Sequence, residues 1–158
     1  MKNFTGVKRR LEIKGKSGGV MGVDDSAHHP PERGVPLEAV RNSFDRRIIA
    51  VFQPHLYSRT RDFHEDFGKS FKNSDILILA PIYPAREKPL PGVSTVLIAE
   101  AARKAGHPDV RYIENKDFIA KELAVLVKPG DIVITMGAGD IWKSGEELCG
   151  ILKEFDKG

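Results

Sequence analysis

Apolar positions recur along this chain in two rhythms. Short aliphatic and β-branched runs at 19–23, 48–52, 76–80, 110–113 and 131–136 read as strands. Two of them, Ile48-Ile49-Ala50-Val51 and Ile76-Leu77-Ile78-Leu79-Ala80, are apolar at every position, as central parallel strands buried on both faces should be. Between the runs the spacing changes to three and four. Leu37, Val40 and Phe44 share one helical face, and Phe63, Phe67 and Phe71 share another. Ile119, Leu123 and Leu126 form a third, and Ile141, Leu148, Leu152 and Phe155 a fourth. All four faces are expected to point into the core, the three phenylalanines included. The spacing predicts helices beginning near Pro36, over 61–71, over 93–105, after a cap at Asn115 or Asp117, and after Asp140. Pro36 belongs in a first turn, because a helix begun at Pro31 would carry Gly34 and Pro36 inside it. Gly106 and Pro108 stop the third helix.

Strand followed by helix, about five times over, requires parallel pairing through right-handed crossovers. The expected fold is therefore α/β. It is a Rossmann-like, doubly wound, mainly parallel sheet of about five or six strands flanked by helices. Residues 10–13 alternate like the end of a strand with nothing before them to pair with, and 14–19 read as a flexible linker or hairpin turn. The basic triplet Lys8-Arg9-Arg10 is either a solvated face or part of a domain junction.

In such a sheet the turns that follow strands line one edge. Four polar turns qualify: 24–29, 53–60, 81–92 and 137–140. The first puts Asp24, Asp25, Ser26, His28 and His29 together. Adjacent histidines on a turn point apart and no third ligand is evident, so no metal is expected there. The second, the stretch Phe52-Gln53-Pro54-His55-Leu56-Tyr57-Ser58-Arg59-Thr60, reads as a turn at a strand's carboxyl end. The third holds four prolines, so it presents Arg86-Glu87-Lys88 stiffly. In the fourth, Gly137-Ala138-Gly139 either lets an anion approach a helix start or makes a tight turn capped by Asp140. The dinucleotide fingerprint would need glycine where Trp142 stands.

Cations and imidazoles beside main-chain amides suit carboxylates and phosphates. Arg59 is the strongest anchor, because a guanidinium forks onto a carboxylate. No nucleophile lies near a base at catalytic spacing, and no phosphate-cradling G-x-x-x-x-G-K-[ST] occurs. The edge is thus expected to bind and orient anions rather than to power a reaction. The formal charge of +3 and pI near 9.0 fit anionic small ligands, and without a nucleic-acid-binding motif no nucleic-acid partner is expected. A lone Cys149 reads as a buried thiol without a disulfide framework. No apolar run approaches the ~20 residues of a membrane span and no amino-terminal signal is seen, so a cytoplasmic protein without membrane contact is expected.

Five ordered segments resemble one family. They are Asp24-Asp25-Ser26-Ala27-His28-His29-Pro30, the 52–60 stretch, Ile82-Tyr83-Pro84-Ala85-Arg86-Glu87, Pro91-Gly92-Val93-Ser94 and Gly137-Ala138-Gly139-Asp140-Ile141. In order and spacing they are similar to the Mur ligase family, in its UDP-N-acetylmuramate–L-alanine branch. Phe4-Thr5-Gly6-Val7-Lys8-Arg9-Arg10 resembles the end of that family's central domain. The resemblance implies residues 1–18 as the end of a central domain with its linker, and 19–158 as a carboxy-terminal domain that closes over the site. It implies a three-domain ligase using ATP and Mg²⁺, with UDP-N-acetylmuramate and L-alanine as partners through the absent domains. No cofactor would be held tightly by this chain alone, which would be inactive by itself. His28 and Arg59 would act at the reacting groups, His28, His55 and Arg59 would hold substrate, and Asp25 and Ser26 would face the nucleotide. Asp24, Tyr57, Arg86, Glu87 and Asp140 would support them. Two departures accompany the likeness: Ser26 stands where the family has tyrosine, removing the stack on adenine, and Leu56 stands where it has arginine. The alternative is a stand-alone domain that kept the fold as an anion- or nucleotide-binding interaction module and lost the catalysis.

Overall fold

A computed structural model describes residues 9–13, 19–25, 35–137 and 140–157, with the backbone alone for 9–13, 23–25, 35, 36, 39 and 155–157. Six strands form one sheet: β1 (Arg9–Ile13), β2 (Val20–Asp25), β3 (Ile48–Gln53), β4 (Ile76–Leu79), β5 (Val110–Tyr112) and β6 (Ile132–Gly137). Their order is β1-β2-β6-β3-β4-β5. The five strands from β2 onward are parallel, and β1 runs antiparallel along β2. Residues 10–13, with nothing before them to pair with, pair antiparallel with the strand that follows them and form one edge of the sheet.

Five helices cover the faces: α1 (Val35–Ser43), α2 (Tyr57–Ser70), α3 (Val96–Lys104), α4 (Ile119–Leu126) and α5 (Trp142–Lys157). Alternation along the strands sorts the core into two layers. Ile48, Ala50 and Phe52 pack with Leu37 and Val40 of α1, Phe67 of α2 and Phe71 at its end, and Ile98 and Ala102 of α3. Ile49 and Val51 point the other way, to Ile119 and Leu123 of α4 and Leu148 and Leu152 of α5. The rings of Phe67 and Phe71 lie 5.2 and 5.1 Å from that of Phe52. Phe63, placed in the core by its spacing, is instead 36% exposed. Gly68 sits where α2 crosses α3; a Cβ there would stand 2.6 Å from that of Ala101. Cys149 is half-buried, and that burial pushes its thiol up.

The topology fixes where a ligand can sit. From β2 to β5 the chain steps outward, with α1, α2 and α3 on one face. It then returns to β6, between β2 and β3, with α4 and α5 on the other face. At the carboxyl ends of β3 and β6, neighbours in the sheet, the chain leaves toward opposite faces. A crevice at that switch point is the usual ligand position in open α/β sheets.

Candidate functional site

Gln53 and Gly137 are register partners at the ends of β3 and β6. Gly137 has φ +112°, and a Cβ there would lie 2.2 Å from the Gln53 carbonyl oxygen, so only glycine fits the floor of the crevice. Gln53 is 3% exposed. Its Nε2 donates to the Pro81 carbonyl at 3.0 Å, while its Oε1 has no partner among the described residues. The amide cannot turn over, because Oε1 would then face another carbonyl oxygen. This buried acceptor was not singled out among the sequence's candidates; only its packing against β6 reveals it.

Two-thirds of the 52–60 stretch is not a turn. β3 runs through Gln53, and α2 has begun by Tyr57, earlier than the expected residue 61. Only residues 54–56 connect them. Leu56 precedes the helix with φ 73° and ψ 140°, a backbone strained for any side chain bearing a Cβ. Three features lock this connection to the proline-rich loop. Tyr83 N–H donates to the Pro54 carbonyl at 2.8 Å, and Leu56 N–H to the Tyr83 carbonyl at 2.9 Å. The rings of His55 and Tyr83 stack with centroids 6.0 Å apart. From the same loop Glu87 accepts from the Tyr57 amide at 2.5 Å and the Ser58 amide at 3.1 Å. The Ser58 hydroxyl donates to its second oxygen. That Ser58 bond, with the amides and Arg61, holds the Glu87 carboxyl below the usual carboxylate range despite its desolvation.

The cations stand around this lock. Arg59, half-buried in the first turn of α2, lies over the Phe63 ring at 5.7 Å, and no carboxylate pairs with it among the described residues. This explains the outward Phe63: its ring supports the guanidinium from one turn further on. Arg86 is exposed on the loop. Asp140 is not a free acid, since Lys116 binds its carboxylate and Lys143 lies at 3.7 Å. Lys116, above all, depresses the Asp140 carboxyl. Lys116 carried no signal in the sequence, being 24 residues away.

Asp24 and Asp25 end β2, and Asp25 is level with Met136 on β6, so their backbone reaches the same edge. Ser26, His28 and His29 lie outside the described residues. The structure thus brings His55, Tyr57, Arg59, Arg86 and Glu87 onto one stretch of the edge, with Asp24 and Asp25 two strands away. Among the described residues no three His, Cys, Asp or Glu side chains converge as a metal site. No helix of the described chain is long and apolar enough to cross a membrane.

Fold and crest together define a doubly wound α/β domain that presents an unpaired guanidinium at its switch point. Residues 9–139 match the family model described as "Mur ligase, glutamate ligase domain". The chain belongs to the Mur ligase family, as its carboxy-terminal domain. It is 47% identical over 152 residues to a UDP-N-acetylmuramate–L-alanine ligase from Geotalea uraniireducens, covering 96% of this chain and 33% of that relative. A protein of the same name from Salinibacter ruber is 48% identical over 151 residues, covering 95% of the chain and 32% of the relative. The chain therefore spans about a third of the length of these relatives. In fold it resembles the crystal structure of UDP-N-acetylmuramate–alanine ligase from Thermotoga maritima, with a TM-score of 0.67 at 20% identity, over 85% of this chain and 27% of that one.

Proposed function

We propose that this domain closes over the active site of an ATP-dependent UDP-N-acetylmuramate–L-alanine ligase and positions L-alanine. The observation that carries the reading is the 47% identity spread over 96% of the chain to a relative of that name. The crest supports it chemically. Arg59 offers a fork of donors to the carboxylate of an amino acid, leaving the amine free to attack. His55, steadied against Tyr83, stands four residues before it. His28 is assigned a place at the reacting groups, and Asp25 and Ser26 a place at the nucleotide, by the resemblance alone.

Amide formation from a carboxylate needs activation, here as an acyl phosphate made from ATP. The alanine nitrogen then forms the new bond while the phosphate departs with the electrons of the C–O bond. This chain carries no phosphate-cradling loop, so activation, with its Mg²⁺, belongs to the other domains. Its own residues bind and orient the amine donor and exclude water. Residues 1–18 lead in from the central domain, with β1 as the edge strand this segment lends to the sheet.

The test joins this chain to the preceding two-thirds of the Geotalea relative and follows phosphate released from ATP in the presence of UDP-N-acetylmuramate. Release that depends on L-alanine, and falls about 10- to 100-fold in kcat/KM with Arg59→Ala, is expected. A folded chimera that binds ATP and UDP-N-acetylmuramate yet shows no alanine-dependent release overturns the reading. Ser26 and Leu56, which depart from the family's pattern, favour a second reading: a non-catalytic anion-binding domain. Under that reading Leu56→Arg with Ser26→Tyr leaves the chimera inactive.

A further inference from the structure

A helix start presents amides without partners and the positive end of the helix dipole. A side chain at the residue before the helix usually answers them. Leu56 stands there in α2, and no side-chain cap is made from it. The answer comes from thirty residues further along. The Glu87 carboxylate takes the amides of Tyr57 and Ser58 on one oxygen and the Ser58 hydroxyl on the other. Its own loop turns to deliver it, with Glu87 N–H on the Pro84 carbonyl at 2.8 Å and Ala85 at φ +53°. The α2 amino terminus thus already holds an anion, and the anion is part of the chain. Arg59 is the next residue of that turn, so the direction of its guanidinium depends on how the turn is held.

We propose that Glu87 is a positioning residue, the resident anion of the α2 amino terminus. It fixes the first turn of α2 so that Arg59 meets the ligand, and it denies that terminus to any free anion. The carboxylate of an amino-acid substrate is thereby directed to the Arg59 guanidinium and not to the helix amides. Nothing in the 52–60 stretch itself could do this, since Ser58 is a donor in the arrangement. The kinetic part of this inference rests on the ligase reading; the anion-binding part does not.

The experiment has two arms. In the first, sodium formate is titrated into the ¹⁵N-labelled chain and the Tyr57 and Ser58 amide resonances are followed. Glu87→Ala is expected to show saturable shifts at both amides, the formate taking the vacated place, while the unaltered chain shows none. Equal shifts in the unaltered chain would overturn the proposal. Glu87→Gln, which keeps the acceptor and loses the charge, guards against a variant that fails to fold. Its Tyr57 and Ser58 amides are expected to exchange with solvent faster than in the unaltered chain, and unchanged exchange would count against the proposal. In the second arm, the Glu87→Ala chimera is expected to raise KM for L-alanine about tenfold, with a smaller change in kcat and partial rescue by formate. An unchanged KM overturns the positioning role. A folded chimera with no alanine-dependent release even when Glu87 is intact overturns the ligase reading instead and leaves the formate arm standing.

Discussion

The two ends of the sheet use the same kinds of residue for opposite purposes. At the amino end three arginines have found carboxylate partners. Arg47 forks onto Asp131, with Nη2–Oδ2 at 2.7 Å, and also donates to the Leu126 carbonyl. Arg41 reaches Asp75 at 2.8 Å, and Arg111 reaches Asp109 at 3.0 Å. Burial would raise the Asp75 carboxyl, but the Ile48 amide and Arg41 outweigh it and hold it below the usual range. At the carboxyl end, among the described residues, Arg59 has an aromatic ring beneath it and no carboxylate, and the Gln53 Oε1 has no partner. The difference separates stability from readiness. Groups satisfied within the fold tie β3, β4, β5 and β6 to their neighbours, whereas unsatisfied ones await something from outside.

A serine and a histidine sharpen the contrast. Ser74 Oγ lies 2.9 Å from His107 Nε2, a pairing that resembles a nucleophile with its base. Yet His107 Nδ1 accepts from the Asp109 amide, so Nε2 carries the proton and donates it to Ser74. The serine hydroxyl in turn donates to the Phe71 carbonyl, and the residue is 3% exposed. This base cannot take the serine's proton, and the cluster serves to clip the turn before β4 to the turn before β5.

The largest effect is expected at the crevice floor. Gly137→Ala should cost at least ~3 kcal/mol in urea unfolding, because its Cβ would meet the Gln53 carbonyl at 2.2 Å in a left-handed backbone. Next comes a crossed pair of arginine variants. Arg47→Ala leaves the carboxylate of Asp131, itself 4% exposed, without its main partner and should cost about 3 kcal/mol while sparing alanine affinity. Arg59→Ala should change stability by less than ~0.5 kcal/mol and lower alanine-dependent kcat/KM about 10- to 100-fold. Unfolding midpoints and chimera kinetics on the same two proteins decide this; equal effects of the two variants on either measurement would erase the division between the edges.

A smaller effect is expected from pH. Burial first of all pushes the His107 imidazole below its ordinary value. The folded state therefore binds the proton less readily than the unfolded state. Its stabilising share is complete above about pH 6.5 and is lost as pH falls through the lowered folded value. The lowered carboxyls of Asp75 and Asp109 give way further down, below about pH 4. Urea midpoints at pH 7.5 and 5.5 should therefore differ less in His107→Gln than in the unaltered chain. The smallest expected change is Phe63→Ala, about 0.5 kcal/mol, read as a weaker grip on Arg59.

Much of the fold was legible locally. Strands buried on both faces announce themselves as unbroken apolar runs, and the count and parallel sense of β2 to β6 follow from their alternation with helices. The edge that carries the site follows from the same topology. What was illegible depends on distant groups. The start of α2 was misplaced because its cap is Glu87, and no window around residue 57 contains it. The step of four that set Phe63 with Phe67 and Phe71 reports a helical stripe, but not how far along it burial extends. Lys116 against Asp140 was equally invisible to local pattern.

The strand order also bears on how the molecule comes into being. β6 comes after the other five strands in the chain, yet it lies between β2 and β3. Until it arrives, the early strands have no common neighbour, and two half-sheets wait with open flanks. Closure requires contacts across more than a hundred residues, from Met21 to Ile132, which makes a slow final step. The ligand crevice is floored by that closing strand, so the domain acquires its binding surface only when its architecture is finished.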